Sequence, residues 1–216
     1  MTELVLYDYW RSSASYRVRI ALALKGLDYA RVPVDLVAGA HRSAAHREVN
    51  PQGLVPALKI DDLVLTQSLP IIEYLDETAP EPPLLPQDAA ARARVRAIAL
   101  AIAAEIHPIS NLSVLARVAA LGGDEARAKW NRDNIASGLE AVEALLDHPA
   151  TGRFCHGDSP GLADCVLIPQ LYNAARWEVA TDHLPRITAI AAECAAHPAF
   201  KAAHPDNYDP SREAQG

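Results

Sequence analysis

The chain has 216 residues, half of them hydrophobic, and a formal net charge of −7. This composition predicts a folded protein with a substantial core, in one large domain or two small ones, and excludes a disordered chain. The acidic balance argues against nucleic acid as the main partner, and no apolar run reaches the about 20 residues that a membrane-spanning helix needs.

The N-terminus and the cysteines predict the compartment. The first residues lack the pattern of a secretory signal. Three cysteines, Cys155, Cys165 and Cys194, form no pair at the spacing of a metal or redox site, so no metal site is expected. Both observations favour a reduced, cytoplasmic location.

Residues 1–80 alternate strand and helix patterns and predict an α/β domain. Strands are expected at 1–9, 29–34, 55–60 and 63–66, and helices at 13–25, 41–48 and 67–77. The first strand–helix–strand unit requires a crossover, so its strands should be parallel, whereas Asp61 and Asp62 favour a hairpin between the last two strands. The first helix should end at Gly26, a residue typical of helix C-termini.

The rest of the chain predicts an all-helical domain. Residues 81–87 are rich in proline and predict a linker to a domain at 88–216. Helices are expected at 89–118, 124–146, 162–177 and 185–196, with a break at Pro108 and a loose tail from 204. Asp164, three residues after Gly161, should bond the backbone of the first helical turn, which is a folding role.

A serine-rich stretch after the first strand is the most informative motif. Trp10-Arg-Ser-Ser-Ala-Ser15 follows the apolar Leu4-Val-Leu-Tyr7 and leads into the first helix. A helix N-terminus has free backbone N–H groups and the positive end of the helix dipole, so hydroxyls placed there make a site for a phosphate, a carboxylate or a thiolate. From the motif alone, serines that only cap the helix are an equal alternative.

The element order and several short motifs resemble the cytosolic glutathione transferases, and the serine motif resembles that of their zeta class. The resemblance covers nearly the whole chain and rests on Arg11-Ser-Ser-x-Ser-x-Arg-Val-Arg-Ile-Ala-Leu22, Asn50-Pro51, Leu54-Val-Pro56, Gln67-Ser68, Asn111-Leu-Ser-Val-Leu115 and Val166-x-Ile-Pro-Gln170. It implies a thioredoxin-like α/β N-terminal domain, an all-α C-terminal domain, glutathione as cofactor and a homodimer.

The resemblance also implies an activity, the glutathione-dependent cis–trans isomerisation of a maleyl keto acid in the breakdown of aromatic compounds. Maleylacetoacetate is the expected substrate. Maleylpyruvate differs from it only in the length of the keto-acid tail, which no motif measures. A general glutathione transferase or dehalogenase of α-halo acids, and a non-catalytic binding module, are further alternatives.

Glutathione brings a thiol whose pKa, about 8.5 when free, has to be lowered for reaction at neutral pH. A hydroxyl donor and a helix dipole both favour the thiolate, and either Ser12 or Ser13 can be that donor. Tyr7 and Tyr9 in the first strand are rivals, with packing at the strand end as the preferred explanation. Ala14 stands where many zeta-class chains have cysteine, which excludes thiol transfer through that position.

Further glutathione contacts follow from matching positions in the family. They are assigned to Ser12, Ser13, Ser15, His41, Gln52, Val55, Gln67, Ser68, His107, Asn111, Leu112 and Ser113. Gln67 and Ser68 begin a helix and should hold the γ-glutamyl carboxylate. The resemblance implies a cis bond between Val55 and Pro56, whereas the residues alone favour a trans proline at a strand start.

The substrate's two carboxylates and its developing negative charge require arginine or histidine partners. By family position, Arg11 and Arg176 are the predicted substrate-binding residues. His107 is a candidate to contact glutathione or to polarise the substrate. Arg17 and Arg19 are expected to be charges on a helix face or at an interface.

Overall fold

The computed structural model describes residues 3–213 of the chain. They divide into two compact units: the first runs to Leu84 and also takes in the residues from His197 on, and the second is Leu85–Ala196. The boundaries expected from sequence, 1–80 and 88–216 with a linker at 81–87, stay a prediction. The compact units differ from them in where the C-terminal segment lies.

The first unit contains a four-stranded sheet in the order β2-β1-β3-β4. Its strands are β1 Leu4–Asp8, β2 Ala30–Pro33, β3 Ala57–Ile60 and β4 Leu63–Thr66. The parallel pairing of β1 with β2 and the antiparallel hairpin of β3 and β4 confirm the predicted topology. Asp61 turns this hairpin with a φ of 49°. Residues 1 and 2 of the predicted first strand lie outside the described residues.

Three helices complete this part of the first unit: α1 Ser13–Leu24, α2 Ala44–Val49 and α3 Ser68–Thr78. α1 ends as predicted at Gly26, whose φ of +63° is a conformation that glycine adopts at little cost. Lys25 Nζ donates to Asp76 Oδ1 at 2.6 Å and to the carbonyl oxygens of Ala79 and Pro82. One buried cation therefore ties the end of α1 to the proline-rich segment.

The second unit is helical. Its helices are α4 Ala89–Leu100, a π-helical stretch Ala101–Ile106, α5 His107–Ile109, α6 Leu112–Leu145, α7 Leu162–Arg176 and α8 Pro185–Ala196. The predicted helix 89–118 is thus interrupted around Pro108, and α6 kinks at Gly123 (φ 81°, ψ −178°), next to the predicted helix start at 124. Among residues 3–213 no single helix is long and apolar enough to cross a membrane; one pair, Ala89–Ile109 with Leu112–Leu145, meets those criteria only when joined across a 43° bend.

Asp164 makes the backbone bonds expected at the start of α7. Its Oδ2 accepts from the Gly161 N–H, and its Oδ1 accepts from the Cys155 N–H, both at 2.9 Å. The carboxylate therefore fixes the first turn of the helix and the loop that precedes it. Burial raises the pKa of Asp164, and these two N–H donors act in the opposite direction.

The C-terminal segment packs with the first unit, so the prediction of a loose tail is wrong for residues 204–213. It consists of α9 Pro198–Ala202, a 3₁₀ turn Pro205–Tyr208 and α10 Pro210–Glu213. Arg19 Nε donates to the carbonyl oxygen of Ala203 at 3.2 Å, and the hydroxyls of Tyr29 and Tyr208 lie 3.0 Å apart. The Arg19 guanidinium also lies 4.5 Å from the centre of the Tyr208 ring. These long-range contacts order the segment.

Candidate functional site

Ser12 joins β1 to α1 and caps the helix. Its Oγ accepts a hydrogen bond from the Ser15 N–H at 3.2 Å, and its carbonyl oxygen accepts from Tyr16 N at 2.9 Å. The first turn of α1 contains no acidic residue, so none of its own side chains opposes an anion at this helix N-terminus. Because its Oγ is used as an acceptor, the Ser12 hydroxyl proton is available for another partner.

The three serines differ in accessibility. Ser12 is half-buried, Ser13 is 7% exposed, and Ser15 is fully buried with a hydroxyl that has no hydrogen-bond partner in the described part of the chain. A ligand atom can reach Ser12 more readily than Ser13. The geometry therefore favours Ser12 over Ser13 as the hydroxyl donor to a ligand, whereas the spacing of the sequence motif did not distinguish the two.

Arg11 is held against the aromatic residues that precede it. Its Nη2 donates to the Tyr9 hydroxyl at 3.0 Å, and the guanidinium lies 4.8 Å from the centre of the Trp10 ring. Its Nε is buried and has no partner among residues 3–213. The Tyr9 hydroxyl accepts from Arg11, and the Tyr7 ring lies edge-on to the His46 ring with centroids 6.2 Å apart, contacts that agree with packing at the strand end.

The loop before β3 is fixed by polar contacts. The Val55–Pro56 bond is cis, as the resemblance implied. The Leu54 carbonyl oxygen accepts from both His46 Nε2 and Asn50 Nδ2 at 2.9 Å. His46 and Asn50 thus support the loop that carries Val55, although no motif pointed to His46 for this role.

Gln67 and Ser68 lie at the start of α3, next to Gln52. Gln67 has a φ of 69° and a ψ of 128°, a strained conformation for a residue with a side chain. Its Nε2 donates to Gln52 Oε1 at 2.8 Å. The fold therefore brings together two of the predicted glutathione contacts that lie 15 residues apart in sequence.

His41 lies in a short 3₁₀ turn, Ala40–Arg42, whose backbone approaches the loop before β3 at Gly53. Its Nε2 accepts from Arg42 Nε at 3.3 Å, which assigns the ring proton to Nδ1, a buried atom with no partner in residues 3–213. Burial and then the charge of Arg42 lower the pKa of His41. The neutral ring is therefore a donor at neutral pH. Close approach of the loop requires Gly53, where an added Cβ would lie 3.0 Å from the His41 carbonyl oxygen.

Arg17 and Arg19 are buried, so the prediction of charges on a helix face or interface is wrong. Arg19 forms an ion pair with Asp8 at 2.7 Å. Arg17 donates from Nη1 to Ser68 Oγ at 3.2 Å, and its Nε and Nη2 have no partner in the described residues. Burial lowers the pKa of Arg17 to about 10. The partner of Arg17, Ser68, lies 51 residues away in the sequence, whereas Asp8 lies only 11 residues from Arg19.

The second unit positions its own candidates. The π-helical stretch ends at Ile106, directly before His107, and the Ile109 carbonyl oxygen accepts from Trp130 Nε1 at 3.1 Å. Two residues further along α6, Arg132 Nε donates to the Trp177 carbonyl oxygen at 2.9 Å, next to Arg176. α6 therefore fixes both segments that carry His107 and Arg176.

The remaining second-unit candidates lie at the start of α6. Asn111 is the N-cap residue and makes no side-chain cap bond. Leu112 and Ser113 are exposed, and the Arg176 guanidinium lies 6.0 Å from the centre of the Tyr172 ring. Their exposure leaves these side chains accessible to a ligand.

Two family models match the chain: the glutathione S-transferase N-terminal domain over residues 2–77 and the glutathione S-transferase C-terminal domain over residues 89–202. A maleylacetoacetate isomerase of Rhizobium meliloti (strain 1021) is 57% identical over 210 residues, which are 96% of this chain and 99% of the relative. The chain belongs to the glutathione S-transferase family.

Two solved structures share the fold over almost the whole chain. A holo maleyl pyruvate isomerase, described as a bacterial zeta-class member, matches with a TM-score of 0.92 and 44% identity, over 95% of this chain and 98% of its own. A maleylacetoacetate isomerase of Methylobacterium extorquens AM1, with malonate and GSH bound, matches with a TM-score of 0.91 and 38% identity, over 96% and 98%. The predicted fold class and the zeta-class resemblance are confirmed.

This glutathione S-transferase has no thiol in its first unit. Ala14 occupies the position between Ser13 and Ser15, and all three cysteines are buried in the second unit. A mixed disulfide with a cysteine of the first unit is therefore excluded.

Proposed function

We propose that the chain is a glutathione-dependent isomerase that converts maleylacetoacetate, a cis dicarboxylate, into its trans fumaryl isomer. The observation that carries the proposal is a set of buried polar atoms without partners in the described part of the first unit. They are Arg11 Nε, Ser15 Oγ, Arg17 Nε and Nη2, and His41 Nδ1. Buried polar groups are normally hydrogen-bonded, so such a set is typical of a site whose partners come from a ligand.

These residues suit glutathione. The tripeptide carries two carboxylates and a thiol. Apart from Arg11, which is proposed to bind the substrate, the set supplies an arginine, a hydroxyl and a neutral histidine donor. Gln67 and Ser68 at the N-terminus of α3 would hold the γ-glutamyl carboxylate, and the backbone of Val55 would bond the cysteinyl part. The 57% identity to a maleylacetoacetate isomerase supports the same ligand and reaction.

When bound, glutathione would supply a thiolate that adds to the conjugated double bond of the substrate and later leaves. While the thiolate is attached, the former double bond is a single bond and can rotate. Ser12 donates its hydroxyl proton in a hydrogen bond to the sulfur. The N-terminus of α1 favours the same negative charge, and both effects lower the pKa of the thiol.

Arg11 is the proposed partner of a substrate carboxylate. Its contacts with Tyr9 and Trp10 fix the guanidinium, so binding costs little side-chain entropy. In the second unit, Arg176 and His107 are the proposed substrate contacts, and Asn111, Leu112 and Ser113 are proposed ligand contacts. We further propose a homodimer in the cytoplasm, which size-exclusion chromatography with light scattering and cell fractionation test.

The first experiment follows the absorbance of maleylacetoacetate and of maleylpyruvate, each with and without glutathione. Wild type should convert maleylacetoacetate only when glutathione is present. Arg11→Ala should raise the KM for the dicarboxylate, whereas Lys59→Ala, which removes an exposed cation of the same unit, should not.

Each other outcome has a definite meaning. Faster conversion of maleylpyruvate would assign the activity named for the solved zeta-class relative. If neither substrate is converted by protein that still binds glutathione, the isomerase proposal is wrong, and transfer or dehalogenation of α-halo acids becomes the reaction to test.

A further inference from the structure

Arg17 is a buried cation that forms no ion pair with any residue in 3–213. The residue is 2% exposed. In the part of the chain that the structure describes, its one hydrogen bond runs from Nη1 to Ser68 Oγ at 3.2 Å, and Nε and Nη2 have no partner. The guanidinium remains protonated at neutral pH, because its pKa, lowered by burial, is still about 10.

Arg19, two residues further along α1, shows how a buried arginine is satisfied by the chain itself. Its Nη1 pairs with Asp8 at 2.7 Å, its Nη2 donates to the Trp10 carbonyl oxygen at 3.0 Å, and its Nε donates to Ala203. Arg17 has no comparable set of partners. Since an uncompensated buried charge destabilises a fold, the charge of Arg17 calls for a counter-charge from outside the chain.

Ser68 indicates where that counter-charge binds. It is the first residue of α3, a helix of 11 residues, and Gln67 at the N-cap position makes no side-chain cap bond. The N-terminus of this helix therefore favours an anion. Because Arg17 donates to Ser68 Oγ, the proton of the Ser68 hydroxyl is left to bond a different acceptor.

We propose that Arg17 is a positioning residue for the γ-glutamyl carboxylate of glutathione: it orients the Ser68 hydroxyl as a donor to that carboxylate and supplies the buried positive charge that the carboxylate neutralises. This inference rests on the proposed function, because it takes glutathione as the ligand. Arg17 affects the affinity for glutathione through Ser68 and does not take part in the chemical step. Its replacement should raise the KM for glutathione and leave kcat at saturating glutathione unchanged.

The test uses two ligands that differ only at the carboxylate. The first is S-methylglutathione, which has no thiol to ionise, and the second is its analogue with the γ-glutamyl α-carboxylate replaced by a neutral amide. Calorimetry compares wild type, Arg17→Met and the matched control Lys59→Met, which removes the same charge from an exposed position on β3.

Arg17→Met should lose about tenfold or more of its affinity for S-methylglutathione, the range of a hydrogen bond to a charged group. It should bind the amide analogue as wild type does. Lys59→Met should change neither affinity. An equal loss for both ligands, or no loss for either, overturns the proposal.

A second variant tests the same role in case Arg17→Met folds poorly. Ser68→Ala removes the hydroxyl that Arg17 orients and should weaken the preference for the carboxylate ligand in the same way. Full retention of that preference in Ser68→Ala overturns the proposal. So does an Arg17→Met protein that melts below Lys59→Met when free but keeps the wild-type ligand preference, because Arg17 would then be structural.

The two proposals fail in different ways. A wild-type protein that binds neither ligand contradicts the proposed function. A wild-type protein that binds S-methylglutathione, with unchanged ligand preference in Arg17→Met, contradicts the role of Arg17 alone.

Discussion

Replacement of Ser12 by alanine separates two roles of one hydroxyl. In the structure its Oγ accepts from the Ser15 N–H at 3.2 Å and caps α1. Loss of a cap of this kind lowers the free energy of unfolding by about 1 kcal/mol. For a chain of this length the melting temperature should fall by about 2–4 °C, so Ser12→Ala should still fold.

The second role concerns the pKa of bound glutathione. A hydrogen bond to a charged acceptor contributes about 1.5–3 kcal/mol. Since one pKa unit corresponds to about 1.4 kcal/mol, loss of the Ser12 donor should raise the pKa of the bound thiol by about 1–2 units. The thiolate fraction at neutral pH, and with it the isomerisation rate, should fall by up to about tenfold to hundredfold.

Titration of the ultraviolet absorbance of the bound thiolate measures this pKa directly. Ser12→Thr keeps the hydroxyl and should titrate near wild type, and Ser13→Ala should also leave the pKa unchanged, because Ser13 is only 7% exposed. A raised pKa in Ser13→Ala with an unchanged one in Ser12→Ala would assign activation to Ser13. If the pKa is unchanged in both variants, the hydroxyl argument is refuted.

Three further predictions concern other parts of the structure. Asp164→Ala removes the acceptor of two backbone N–H groups and should lower the free energy of unfolding by about 2–4 kcal/mol in a urea titration, with the KM values of the folded enzyme unchanged. Gly53→Ala would place a Cβ 3.0 Å from the His41 carbonyl oxygen and should weaken glutathione binding in calorimetry, whereas Gly26→Ala, with the same φ of +63° and open space around it, should only lower stability. The pKa of His41 is lowered by burial, so its NMR titration midpoint should lie below the ordinary 6.5. The stability that the neutral ring contributes is then complete above that value and is lost as the pH falls through the folded-state pKa.

Local patterns were sufficient to predict two of the three strand pairings but not the order at the end of the chain. The crossover rule predicts the parallel pairing of β1 with β2, and the Asp61 turn predicts the β3–β4 hairpin. The antiparallel pairing of β1 with β3, which joins the two halves of the sheet, follows from neither pattern. The C-terminal segment is ordered by a contact between Arg19 and Ala203, which are 184 residues apart. Nothing in the composition of residues 204–213 indicates such a contact, so a tail was the natural but wrong prediction.

The same distinction applies to the candidate site. The hydroxyl of Ser12 was predicted from a local signature, serines at the start of a helix, whereas Gln52 and Gln67 were predicted from matching positions in the family. Arg17 has no such signature, since its partner Ser68 lies 51 residues away. A charged residue beside the apolar positions Val18, Ala21 and Leu22 of the first helix is a sequence feature that could have marked it.

The basic side chains in the described part of the first unit include two kinds: some are bonded by the chain itself, and others hold buried atoms without a partner. Arg19 and Lys25 are buried and bonded by the chain, and they join segments that must stay fixed. Arg11, Arg17 and His41 hold buried atoms with no partner. A protein that leaves such atoms unpartnered is less stable than it could be, and a ligand that satisfies them recovers that stability on binding. Under the proposed function, these atoms are preorganised for an anionic, polar ligand at the expense of the stability of the free protein.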